Sequence, residues 1–128
     1  MKEYLRFRHI SYFRRNPTTP AEPDRPFTCC ALIGRLPMTK VGRAVEKGET
    51  QGFMKIIVDE QTHEILGAAI LGTGGDEAIH SILDVMYSRA PYTVIQRAVH
   101  IHPTVSELIP TMLGELQPLA ETSAALAR

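Results

Sequence analysis

His102 and Glu107 are the residues of this sequence best suited to proton chemistry. An imidazole titrates near neutral pH, and a carboxylate that accepts one ring N–H fixes the tautomer and raises the basicity of the other nitrogen. The same segment has a purely structural reading. Thr104-Val105-Ser106-Glu107 fits a capping box, in which the glutamate reaches back to the threonine backbone at a helix start. The residues alone leave both readings open. His100 and His102 alternate and would share one face of an extended segment, as a pair of metal ligands must. Glu107 is their only candidate third ligand, so the pair falls short of a site.

The adjacent Cys29 and Cys30 have no histidine or helix start beside them to lower a thiol pKa, and they read as structural cysteines. Gly72-Thr73-Gly74-Gly75-Asp76-Glu77 follows an apolar run and opens a helical pattern, the order found in dinucleotide-binding turns. Glu77 stands where that fingerprint needs its third glycine. Two carboxylates there would repel a phosphate while suiting a helix N-terminus. A tight strand-to-helix turn is the better reading.

These residues need elements to position them. Phe53–Val58 and Ile65–Leu71 are rich in strand formers, and the short polar stretch from Asp59 to His63 joins them as an antiparallel hairpin. Ala78, Ile79, Ile82, Leu83 and Met86 recur at helical spacing until Pro91. A short helix is expected from Thr93, whose hydroxyl would cap while Gln96 reaches back. A further helix from Thr104 carries Val105, Leu108, Ile109, Met112, Leu113 and Leu116, and Pro110 should kink or split it. Strands followed by helices predict an α+β fold, an antiparallel sheet with helices packed on one side.

The chain has 128 residues, 44% hydrophobic and 22% charged, the profile of an ordinary globular domain with one core. Lys+Arg and Asp+Glu balance at 14 each, which argues against a dedicated nucleic-acid binder. No apolar run approaches the roughly 20 residues that span a bilayer, so no membrane role is expected. Two cysteines exclude a disulfide-stapled secreted scaffold and fit a reducing, cytoplasmic setting. The basic start, with Lys2, Arg6, Arg8, Arg14 and Arg15, reads as a solvated arm. Asn16 to Pro26 is a proline-rich linker. The expected organisation is a poorly ordered basic and proline-rich segment over residues 1–35, a folded domain over 36–118 and a tail over 119–128.

His102-Pro103-Thr104-Val105-Ser106-Glu107 resembles the motif that ends the pyridine nucleotide-disulfide oxidoreductases, the family of dihydrolipoamide dehydrogenase, glutathione reductase and mercuric reductase. Gly42-Arg43-Ala44, Gly52-Phe53-Met54-Lys55, Ile65-Leu66-Gly67-Ala68 and Gly75 to Ile82 resemble further landmarks of the same C-terminal dimerisation domain. The resemblance implies a homodimer, or association with a polypeptide that binds FAD and NAD(P), because in that family each active site is shared across a two-fold axis. It implies that His102 exchanges a proton with a thiol and that Glu107 orients it. It also implies FAD and NAD(P)H for a complete enzyme, while none is expected on this chain alone. The family's flavin-domain glycine fingerprint and Cys-x4-Cys redox pair do not occur, so the chain is not expected to be active alone. The tail Leu119–Arg128 lacks the vicinal cysteines of mercuric reductases, and mercury reduction is not inferred. The alternatives are a non-enzymatic association module and a non-functional product of a truncated gene.

Overall fold

The computed structural model describes residues 9–13 and 30–119. The described strands are β1 (His9–Phe13), β2 (Ala31–Pro37), β3 (Phe53–Asp59), β4 (Ile65–Leu71) and β5 (Gln117–Pro118). The α-helices are α1 (Gly42–Lys47), α2 (Gly75–Ser88), α3 (Thr93–Gln96) and α4 (Ile109–Gly114), with 3-10 turns at Met38–Lys40 and Val105–Leu108. Among these residues the strands form one antiparallel sheet in the order β1-β4-β3-β2-β5. The fold is α+β, as the sequence order of strands and helices predicts.

The β3–β4 hairpin lies where the strand formers place it. Met54, Ile56 and Val58 alternate into the core, the period of a sheet with one face covered. On β4 the period breaks. Ile57 pairs with Gly67 but Val58 pairs with Ile65, leaving Leu66 as an extra residue. This bulge lets both Ile65 and Ala68 join the same core, although strict alternation over three residues would put them on opposite faces. On the covered side, Ile79, Ile82 and Met86 of α2 and Ile109, Met112 and Leu113 of α4 join Ile70 in one core, α2 against β4 and α4 against β2.

The helix from Thr104 is split as expected: a 3-10 turn runs to Leu108, and Pro110 sits in the first turn of α4, where its missing N–H leaves no bond unmade. The expected Thr93 cap does not form. The turn already begins at Pro91, whose carbonyl accepts the Val94 N–H at 3.0 Å, so Thr93 enters within the helix. Gln96 instead donates from Nε2 to the Leu113 carbonyl at 3.2 Å and ties α3 to α4.

Ordered sheet also extends into the segment expected to be poorly ordered. His9–Phe13 pairs with β4 along its length, and β2 begins at Ala31, ahead of the expected boundary at residue 36. Ala31 to Leu36 is a run of strand-compatible residues whose start is obscured by the prolines just before it. The basic residues Lys2, Arg6, Arg8, Arg14 and Arg15, the stretch from Asn16 to Pro26, Cys29 and residues 120–128 lie outside the described residues.

α4 approaches β2 closely enough that a side chain has no room between them. A Cβ on Gly34 would lie 2.8 Å from the Met112 backbone oxygen and 3.0 Å from Met112 Cγ. Gly34→Ala is therefore expected to lower stability by about 1–3 kcal/mol through overpacking. An unchanged urea midpoint would show that α4 can lift without cost.

Candidate functional site

Two connections that are remote in sequence meet at the edge of the core. β2 leads through the Met38–Lys40 turn into α1, and the Val105–Leu108 turn leads into α4, which is itself anchored on β2. The first turn of α1 thus faces the turn that carries Glu107. Gly42 N–H donates to Glu107 Oε1 at 3.1 Å across 65 residues of chain. The absence of a side chain makes this approach feasible, because a Cβ on Gly42 would stand 2.9 Å from Glu107 Oε1.

The other carboxylate oxygen works locally. Glu107 Oε2 accepts the Thr104 N–H at 3.3 Å, the glutamate half of the capping box. It also lies 2.6 Å from His102 Nδ1. The hydrogen-bonded pair and the cap therefore share one carboxylate oxygen and form one arrangement. Side-chain exposure is 8% for Glu107 and 77% for His102, so a buried carboxylate holds an exposed ring.

Burial pushes the Glu107 carboxyl up, but donation from Gly42 N–H, from His102 and from Thr104 N–H overcomes it, and its pKa lies below the ordinary value. Glu107 is thus an anion that only accepts hydrogen bonds. A neutral His102 must then carry its proton on Nδ1, leaving Nε2 as a bare acceptor on the exposed side of the ring.

The segment holding the ring has few backbone restraints. The His102–Pro103 peptide is cis. Thr104 Oγ1 donates to the Ile101 carbonyl at 2.6 Å, and His100 Nδ1 lies 2.7 Å from the Ser106 carbonyl. Arg43 reaches across from α1 and donates to the Pro103 carbonyl from Nε at 3.2 Å and Nη2 at 2.8 Å.

His100 and His102 thus point to different partners, and no three His, Cys, Asp or Glu side chains gather for a metal among the described residues. Cys30 stands at the far end of β2 from the turn that leads to Gly42, and its carbonyl accepts the Glu60 N–H at 2.8 Å. The glycine-rich turn forms the start of α2 with Gly74 at φ 63° and Asp76 and Glu77 in the first helical turn. Val105 packs against it, 3.1 Å from where a Gly74 Cβ would be. Motif reading placed Gly42 and Arg43 among family landmarks but gave neither a task. Their part in the site depends on a contact across the fold, which no local spacing carries.

Residues 30–113 match the family described as pyridine nucleotide-disulphide oxidoreductase, dimerisation domain. The chain belongs to this family. It is 36% identical over 87 residues to a dihydrolipoyl dehydrogenase of Corynebacterium glutamicum, covering 68% of this chain and 18% of that protein. It is 35% identical over 72 residues to the probable pyridine nucleotide-disulfide oxidoreductase RclA of Escherichia coli, covering 56% of this chain and 16% of the relative. The solved structure of the Escherichia coli HOCl-induced flavoprotein disulfide reductase RclA superposes with a TM-score of 0.64 at 29% identity, over 66% of this chain and 20% of that one. As a dimerisation domain of this family, the chain spans about a fifth of these two proteins' length. No helix among the described residues is long and apolar enough to cross a membrane.

Proposed function

We propose that this chain supplies a subunit interface and a His102–Glu107 acid–base pair to a shared active site of a FAD-dependent pyridine nucleotide-disulfide oxidoreductase. The observation that carries the proposal is the exposed ring held by a buried, multiply bonded carboxylate. Such a ring takes a proton at Nε2 while Nδ1 stays fixed, then returns it. A disulfide reductase needs this step, because a thiol must lose a proton to attack and a departing thiolate must regain one. The thiols would belong to another polypeptide or domain.

The described residues do not fit FAD or NAD(P)H. The one glycine-rich turn places Asp76 and Glu77 at its helix start, and Glu77 lines the neighbouring cleft of ≈ 320 Å³ with Arg43 and Pro103. Carboxylates there oppose a pyrophosphate, so FAD and NAD(P)H are assigned to the rest of the enzyme. The vicinal Cys29-Cys30 suits a cytoplasmic, reducing setting for it.

The surface around the ring suits a second subunit. Val99 is 96% exposed and Ile101 79% exposed, both in the segment that ends at His102. Apolar side chains so placed beside a reactive group are suited to being covered by a partner. A homodimer is the expected assembly, and association with an intact relative is the alternative arrangement.

Size-exclusion chromatography with light scattering and flavin absorbance across the peak tests this. The chain is expected to elute as a flavin-free dimer, or as a yellow, heavier species if a cofactor-binding partner is retained. A combined Val99→Asp and Ile101→Asp exchange should weaken self-association at least tenfold, because each charge would be buried unpaired. A soluble monomer at high concentration that binds no full-length relative would end the interface reading. The acidic start of α2, which opposes a pyrophosphate, also supports a second reading, a non-enzymatic association module. The two part on His102→Ala, which leaves a pure module unaffected.

A further inference from the structure

We propose that Arg43 is the positioning residue of the dyad, acting on His102 through the Pro103 carbonyl; this rests on the His102–Glu107 reading above. Among the described residues, the segment from Val99 to Thr104 makes no backbone–backbone bond of the kind that holds the other turns. It is fixed by side chains, and most of those bonds are local: Thr104 to Ile101, and His100 to Ser106. Arg43 is different. It comes from α1, 60 residues away in sequence, and places two guanidinium donors on one carbonyl, directly next to His102 in the chain.

The arginine is itself oriented. Its Nη1 lies 3.2 Å from Glu46 Oε2 one helical turn on, leaving Nε and Nη2 for Pro103. A planar guanidinium held at both edges fixes direction as well as distance, which an ammonium on a flexible stem does not. The same short helix contributes the Gly42 N–H to Glu107 Oε1. α1 therefore grips both members of the dyad, the acid through its carboxylate and the histidine through the next residue's carbonyl. Two anchor points on one rigid element set the separation of ring and carboxylate, and a catalytic geometry tolerates little error in that quantity.

The test reads the ring directly in the full 128-residue chain labelled with 15N-histidine, by long-range proton–nitrogen spectra recorded above the ring's titration. Wild-type His102 is expected as the Nδ1–H tautomer. Arg43→Ala should raise the Nε2–H fraction of His102 at least severalfold, with His100 unchanged. Arg43→Lys should show a smaller shift in the same direction, and it answers the question if the alanine variant folds poorly. His102 nitrogen shifts identical to wild type in both variants would overturn the role of Arg43 and leave the dyad standing. A wild-type ring in the Nε2–H form would instead overturn the dyad and, with it, the positioning role.

Discussion

Under the proposed function, replacing His102 by alanine is expected to lower turnover of the reductase reconstituted with this chain by about 10²–10⁴-fold, the range for loss of a positioned general acid–base. Stability should change little. The ring is 77% exposed, and Glu107 would keep its bonds from Gly42 and Thr104, so no buried donor loses its partner. Steady-state kinetics of the complex, with flavin content and thermal midpoint measured on the same preparation, separate the two effects. Full activity with the alanine variant would remove the catalytic role and leave the association module.

Glu107→Ala should have the opposite balance of effects, because this carboxylate joins α1, the capped turn and the ring. Its removal leaves the half-buried Gly42 and Thr104 N–H groups without this acceptor, at up to about 1–3 kcal/mol for each donor that finds no water. For a domain of this size each kcal/mol is worth about 4–8 °C in melting temperature. The contribution depends on pH in a definite direction. The folded-state pKa of Glu107 is lowered, so its stabilisation is fully present above the ordinary glutamate value of 4.5 and is lost as pH falls through the lower folded value. The difference in urea midpoint between wild type and Glu107→Gln should therefore shrink as pH falls below 4.5. A difference that stayed the same into strong acid would mean the charge of Glu107 contributes nothing to the fold.

The contrast between these variants follows from how the site is written in the chain. The hairpin at Phe53–Leu71, the apolar face of α2 and the break at Pro110 are local patterns, legible because each element needs only its own spacing to declare itself. The His102–Glu107 pair was visible for the same reason. The contacts of Gly42 and Arg43 were not, since a backbone N–H and a guanidinium acquire their meaning only from what the fold brings opposite them. Thr93 was misread because a capping pattern says nothing of a turn that already starts at Pro91. β2 was missed at its beginning because prolines before it mimic a linker that runs on.

The hydrogen bond from Gly42 to Glu107 spans 65 residues, whereas the β3–β4 turn closes over a few. Hairpins form in microseconds, while contacts between distant segments must wait until the intervening chain is arranged. The dyad contact itself is local, five residues apart, but the bond that ties it to α1 is not. The carboxylate meets the Gly42 N–H only where β2 and α4 bring α1 and the Val105–Leu108 turn together. The Gly42 bond thus makes the proposed proton-transfer site depend on the completed fold and not on its own hexapeptide alone.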